Sequence, residues 1–219
     1  MMKETAKQKI DELIERYPAL ALCRDDILAA AEIIVGVYQT GGKILVCGNG
    51  GSASDAEHIV GELMKGFLLP RKLDAATREK LREICPATAD YLADNLQGTL
   101  AAVSLVNETA LNTAFANDQA ADLVFAQQVL GLCEEKDALI AISTSGNSGN
   151  VLHAVNVAKL KGAKTIALTG EGGGKLKALA DVTICAPSRV TFKIQECHLP
   201  IYHTLCIVAE EEFFGAENS

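Results

Sequence analysis

Two ionisable side chains, His58 and Glu62, stand four residues apart in the stretch ILVCGNGGSASDAEHIVGEL, residues 44–63. On a helix that spacing puts both on one face. A second set lies near the C-terminus in KIQECHLPIYH: Gln195, Glu196, His198 and His203. Gln195 and His203 are eight residues apart, a little over two helical turns, and lean to one side. A glutamate and a histidine suit proton shuttling on a sugar. An aldose–ketose isomerase moves a proton between C1 and C2 through an enediol. It needs a base on carbon and an acid–base partner for the oxygens. Two histidines, a glutamate and a glutamine could instead ligate zinc, which would polarise the sugar oxygens. The plain alternative for His58 and Glu62 is a solvated surface pair. For His198 and His203 it is a core or interface histidine.

Glycine-rich loops accompany these groups. GNGGS, residues 48–52, leaves one apolar run and enters a helix, and STSGNS, residues 143–148, leaves another. Helix N-termini offer free N–H groups to an anion, glycines let the backbone come close, and small hydroxyls add uncharged donors. TGEGGG, residues 169–174, is a third loop of similar build. A single loop of this kind is ordinarily a strand-to-helix turn. Two serine-bearing loops at neighbouring strand ends point to a monophosphate. Gly48, Gly50 and Ala53 also match the dinucleotide fingerprint, but the following LLPRKLD is not a strand ending in an acid for the ribose. No G-x-x-x-x-G-K-[ST] occurs, so no nucleotide cofactor is expected.

The elements that must position these groups follow from the pattern. Residues 3–17 and about 25–39 read as helices, with Gly41-Gly42 ending the second. KILVCG is a short buried strand, and a helix runs from Ser52 to about Phe67. Further strands are predicted over residues 100–106, 138–143, 165–170 and 182–187, with helices over 118–132, 147–161, 172–179 and 191–214. Pro200 should kink the last helix near Glu196, and the tail EEEFFGAENS should fray. Apolar strands alternating with helices predict an α/β fold, a five-stranded parallel sheet covered on both faces after an N-terminal helical pair. Ligands of such sheets sit at the C-terminal strand ends. Residues 71–97, with Pro86 and two charged helical segments, read as a helical insertion.

The chain has 219 residues, enough for one sizeable domain. Its formal net charge of -8 argues against nucleic acid as the main partner, because phosphate backbones demand basic patches. The absence of Trp adds to that, by removing the best base-stacking residue. The charged N-terminus lacks the apolar core of a signal peptide, and no apolar run approaches the ~20 residues of a membrane span. Seven cysteines, an odd number without a C-x-x-C pair, predict reduced thiols in a cytoplasmic protein.

The segments CGNGGSASDAEHIVGEL, AFANDQAADLVF, AISTSGNSGNVLHAV, IALTGEGGGKL and RVTFKIQECHLPIYH together resemble the sugar isomerase (SIS) domain. Within it they are most similar to the phosphoheptose isomerases. The resemblance covers nearly the whole chain outside residues 71–97. It implies a single SIS domain of three-layer, doubly wound, flavodoxin-like architecture, with residues 1–40 as N-terminal helices and 71–97 as an insertion that typical members lack. It also implies a ketose–aldose isomerase acting on sedoheptulose 7-phosphate, which yields D-glycero-D-manno-heptose 7-phosphate. Asn49, Gly50, Gly51, Ser52, Ser143, Thr144, Ser145 and Ser148 would hold the sugar phosphate, Asp118 the sugar hydroxyls, and Gln195 would support the substrate. Glu62 and His203 would be the acid–base pair. Some members bind zinc through the positions of His58, Glu62, Gln195 and His203.

The family is homotetrameric, with sites at subunit interfaces, so His203 acts either within its own chain or across to a neighbour. Other SIS proteins are non-catalytic and bind a phosphosugar as a signal, or bind the bacterial replication initiator. They generally lack the glutamate–histidine set kept here. Two departures fall near the sugar end. The arginine usual four residues after the glutamate is Gly66 here, beside Lys65, and Phe192-Lys193 stands where Asp-Arg is common.

Overall fold

The computed structural model describes residues 2–216. Helix α1 (Glu4–Arg16) buries Ala6, Ile10 and Leu13 and turns its charges outward. A 3₁₀ stretch, Pro18–Cys23, leads into α2 (Arg24–Gln39). Gly41, at φ +71°, ends α2 as expected, and the Gly42 N–H closes back on the Val37 carbonyl at 2.9 Å.

Strand β1 (Ile44–Gly48) is buried throughout and feeds α3 (Gly51–Met64). The segment 71–97 holds α4 (Ala75–Ile84), capped by the Asp74 carboxylate accepting from the Thr77 N–H at 2.7 Å, and α5 (Ala89–Asn95). An antiparallel bridge between Lys72 and Gln97 closes the neck of this segment.

Strand β2 (Ala102–Ser104) is shorter than the predicted 100–106. It is an edge strand, and the Leu100 N–H goes to the Leu63 carbonyl at the end of α3, not to the sheet. The helix predicted over 118–132 is broken. It becomes the end of a π turn Ala116–Ala120, a 3₁₀ turn Ala121–Leu123 and α7 (Val124–Leu132), and an unforeseen helix α6 (Thr109–Phe115) precedes them. Ala120 takes an extended conformation and interrupts the helical path without any glycine or proline to announce it.

The remaining order is β3 (Ala138–Ile142), α8 (Gly149–Leu160), β4 (Lys164–Thr169), α9 (Leu176–Leu179), β5 (Val182–Cys185) and α10 (Thr191–Phe214). α9 starts late because Gly172, Gly173 and Gly174 take φ of +89°, +74° and +56°. α10 runs through Pro200 as one helix and includes Glu210–Phe214 of the tail expected to fray. Residues 217–219 of that tail lie outside the described residues.

All five strands are parallel in the order β2-β1-β3-β4-β5, the doubly wound arrangement expected. Alternate residues of β1 serve opposite cores. Ile44 and Val46 join the core under α1, α2, α3 and α10, while Leu45 and Cys47 join the one under α7, α8 and α9. Each fully buried Leu or Ile contributes about 1.5–3 kcal/mol, so two filled layers fix the sheet firmly. The strand order reverses between β1 and β3. A crevice therefore opens beyond their C-terminal ends, and both serine loops begin there. No helix among the described residues is long and apolar enough to cross a membrane.

Candidate active site

The loops after β1 and β3 are neighbours because their strands pair in register, Cys47 with Ala141 and Gly48 with Ile142. A reciprocal amide pair ties them together. Asn49 Nδ2 donates to Asn150 Oδ1, and Asn150 Nδ2 donates to Asn49 Oδ1, each at 2.9 Å. Gly50 adopts φ +58°, ψ -123°, a conformation open essentially to glycine alone. At the start of α3 the Ser52 and Ala53 N–H groups turn to the Asn49 and Gly50 carbonyls, and in α8 the Val151 N–H turns to Asn150 Oδ1, which leaves the N–H groups of Gly51, Gly149 and Asn150 for the crevice. Ser143 and Ser148 hydroxyls lie 2.9 Å apart, and Ser145 Oγ sits 3.5 Å from Ser143 Oγ. Thr144 is half-buried beside them, and Ser52 is buried within the first loop.

The third loop has a different task. Leu176 N–H donates to the Gly146 carbonyl, Lys175 N–H to Asn147 Oδ1, and Gly170 N–H to the Thr144 carbonyl. It buttresses the second loop from behind, and the two come so close that a Cβ on Gly146 would overlap the Gly173 carbonyl.

Beyond the loops, α3 and α10 bring the ionisable groups together. His58 Nε2 lies 3.3 Å from Glu62 Oε1, and Lys65 Nζ lies 3.0 Å from Glu62 Oε2. The His203 ring stands edge-on to His58, with centroids 5.0 Å apart, and Phe67 packs on its other side at 5.3 Å. His203 Nε2 is buried and has no hydrogen-bond partner. Burial, reinforced by His58, holds this imidazole below the ordinary histidine pKa, so it is neutral at neutral pH. Gln195 sits one loop away. A Cβ on Gly51 would stand 2.5 Å from its amide nitrogen, so glycine at 51 is what lets this side chain reach the first loop.

His58, Glu62 and His203 therefore meet within one chain. Asp118 does not join them. It is exposed on the π turn, and its carboxylate accepts from the neighbouring Asn117 amide at 2.8 Å. His198 is a core residue, fully buried, with Nε2 on the Thr169 carbonyl at 3.1 Å and its pKa lowered by burial.

The donor types suit zinc, and the unpartnered His203 nitrogen is the kind of atom a metal would take up. Their arrangement within the chain does not. Among the described residues no three His, Cys, Asp or Glu side chains form a group that could hold a metal. Gln195 and His203 are separated by a helical rise of about 12 Å, and Glu62 is already engaged by the Lys65 ammonium.

Several contributors had no signal in the spacing. Lys65 lies next to the position expected to carry arginine. Gly66 itself has no room for a side chain, since a Cβ there would meet the Leu69 carbonyl at 2.5 Å and the Gln97 amide at 3.2 Å. Asn150, Tyr202 and Arg71 are further examples. Arg71 lies buried against Glu210 of α10 at 2.7 Å, and its guanidinium donates to the Leu63 and Glu62 carbonyls at 2.6 and 3.1 Å. Nothing local could have paired Asn150 with Asn49, or Arg71 with Glu210.

Comparison with known proteins agrees with this architecture. Two family profiles described as SIS domain match residues 104–207 and 8–88. The phosphoheptose isomerase of Akkermansia muciniphila is 35% identical over 98% of this chain and 100% of its own length. The solved phosphoheptose isomerase of Neisseria gonorrhoeae superposes with a TM-score of 0.70 at 35% identity, covering 91% of this chain and 94% of that one. That of Francisella tularensis gives 0.69 at 32% identity, over 95% and 94%. The chain belongs to the phosphoheptose isomerase family of SIS-domain proteins.

Proposed function

We propose that this protein is a phosphosugar ketose–aldose isomerase that converts sedoheptulose 7-phosphate to D-glycero-D-manno-heptose 7-phosphate. The observation that carries the reading is the meeting of Glu62 and His203 about His58, beyond two serine loops at one switch point. Relatives and solved structures named phosphoheptose isomerase support the substrate.

In this reading the phosphate sits on the N-termini of α3 and α8, held by backbone N–H groups and by Asn49, Ser52, Ser143, Thr144, Ser145 and Ser148. The phosphate end anchors the sugar, and its binding energy orients C1 and C2 at the acid–base pair. Glu62 moves the proton between the two carbons. His203, neutral and unpartnered at Nε2, serves the oxygens. The Lys65 ammonium stands beside the developing enediolate and stabilises its charge. Gln195 orients the sugar where α10 meets the first loop.

Asp118 is exposed and accepts from Asn117, which suits a site completed in a homotetramer, where a neighbouring chain would bring Asp118 to the sugar. Within one chain Gln195 stands too far along α10 to join His58, Glu62 and His203, so zinc at these four positions would need a neighbouring chain's contribution, and would then supply a Lewis acid. Seven free cysteines support a reducing, cytoplasmic setting.

The test is a coupled isomerase assay over pentose, hexose and heptose phosphates, with and without zinc chelation. Turnover of the heptose phosphate is expected, with losses on the order of 10²–10⁴-fold in Glu62→Gln and His203→Gln. Phosphosugar binding without turnover would overturn the reading in favour of a non-catalytic SIS regulator.

A further inference from the structure

The buried histidine of α10 ties that helix to the sheet. His198 is fully buried, and its Nε2 lies 3.1 Å from the Thr169 carbonyl at the end of β4. A carbonyl only accepts, so Nε2 carries the hydrogen and donates it. The bond is surplus to the sheet's own needs, because the Ala186 N–H already donates to the same carbonyl at 2.9 Å. On the other side of the ring, Nδ1 is buried without a partner. An apolar side chain of similar volume would avoid that desolvation cost and leave no carbonyl unpaired. Core packing alone therefore does not call for a histidine here.

The need arises in the helix itself. Pro200 lies inside α10 and has no N–H, so the Glu196 carbonyl lacks its partner within the helix. The missing bond falls between Gln195, which reaches the first loop, and His203, which stands beside His58. The turn before it is well seated. Ile194 is 3% exposed and packs on Gly170, where a Cβ would stand 2.3 Å from Ile194 Cδ1 and 2.9 Å from the Thr144 carbonyl. The Gly170 N–H donates to that Thr144 carbonyl at 2.9 Å. The end of β4 is thus fixed to the second serine loop, and His198 fixes the weak turn of α10 to the end of β4.

We propose that His198 is a positioning residue for isomerisation, holding the Pro200 turn of α10 so that His203 keeps its place relative to the serine loops. The proposal rests on the isomerase reading and deepens it. His198 is buried beyond a substrate's reach and acts only through the helix. The phosphate end fixes where the sugar lies, and the path from Thr144 through Gly170, Thr169 and His198 carries that reference to His203. Gln195 precedes the missing bond and is seated by Ile194, so it does not depend on His198.

Kinetics and hydrogen exchange on the full-length protein test this. His198→Leu deletes the donor at similar volume, and His198→Gln keeps an N–H near the place of Nε2. His198→Leu should lower kcat about tenfold, the worth of one hydrogen bond, with KM held within about twofold. His198→Gln should keep kcat within about threefold of wild type. In a Pro200→Ala background, where the helix regains its own bond, His198→Leu should cost less than about threefold. Amide hydrogen exchange reads the same turn with no substrate present. In His198→Leu the amides of Ile201, Tyr202 and His203 should exchange about tenfold faster, while those of α3 stay as they are. An equal kcat loss in both backgrounds overturns the proposal, and so does unchanged exchange, or a glutamine variant no better than leucine. Failure of both His198→Leu and His198→Met to fold would overturn it too, by making the histidine a requirement of the core. If the wild type turns over no sugar phosphate, the isomerase reading fails instead, and exchange in the two backgrounds alone judges the positioning.

Discussion

The buried pair of Arg71 and Glu210 offers the sharpest energetic test. Their side chains are 0% and 1% exposed. Glu210 accepts from Arg71 Nε and from the N–H groups of Phe67, Leu68 and Leu69 at 2.7, 2.7 and 3.1 Å. Arg71 spends its other donors on the last carbonyls of α3, and its guanidinium lies 4.9 Å over the Phe214 ring. It does so at φ +37°, a left-handed conformation that a non-glycine residue keeps only when its surroundings demand it.

Arg71→Met leaves a buried carboxylate without its cation and two helix-end carbonyls without donors. Removing one partner of such a pair costs about 3–5 kcal/mol. For a domain this size that is a fall in Tm on the order of 10 °C. Glu210→Gln strands the guanidinium and costs a similar amount. In the double variant Arg71→Met with Glu210→Gln the site is neutral, while the glutamine oxygen still accepts from the backbone. The double variant should therefore be less destabilised than the sum of the singles by about 2 kcal/mol. Urea unfolding followed by circular dichroism measures all four species. Costs that add to within about 0.5 kcal/mol would refute the coupling. Singles below about 1 kcal/mol would place the pair with exposed ion pairs.

Three further outcomes are expected. Burial pushes the Glu210 carboxyl up, but amide bonds from Phe67 and Leu68 and the Arg71 pairing outweigh it, so its pKa lies below the ordinary glutamate value. The unfolded chain then binds the proton first. The stabilisation is complete above the unfolded value of about 4.3 and is lost as pH falls through the lower folded one, so urea midpoints should drop on acidification less steeply in Glu210→Gln than in wild type. Gly50→Ala, forced into φ +58°, ψ -123°, should cost on the order of 1–3 kcal/mol and weaken sugar-phosphate binding, measured by thermal unfolding and calorimetric titration. Gly51→Ala should displace Gln195 and raise KM several-fold while leaving Tm nearly unchanged, since alanine suits the first turn of a helix; a KM equal to wild type would detach Gln195 from the substrate.

What the sequence disclosed depended on how local the cause was. The β1 run ILVCG, buried at every position, announces a central parallel strand because only a sheet covered on both faces wants an apolar residue at each place. The Gly41-Gly42 stop and the α1 pattern are equally local. The break at Ala120 is not. Nothing in ANDQAAD forbids a continuous helix, and the extended turn there answers to the packing of α7 on α8. Strand β2 is short for a similar reason, since the end of α3 takes the N–H of Leu100.

The same distinction runs through the site. The spacing of His58 and Glu62, and the repetition of serine loops, are features within single elements, and they singled out residues that the fold does gather. Which groups surround them depends on partners far along the chain: Tyr202 from 144 residues away, and Glu210 from 139 beyond Arg71. Gly66 joins the two levels. In the sequence it stands where the resemblance expects an arginine, beside the helix of His58 and Glu62. In the fold its N–H donates to Gln97 Oε1 at 2.9 Å, and Gln97 closes the neck of the 71–97 segment against Lys72. The space a side chain would need there is filled by the Leu69 carbonyl and the Gln97 amide, and the cation at Glu62 comes from Lys65 one position earlier. At Gly66 the backbone thus takes a close approach to Leu69 and Gln97 that no larger residue would allow, while the positive charge beside Glu62 is placed by Lys65 at 3.0 Å.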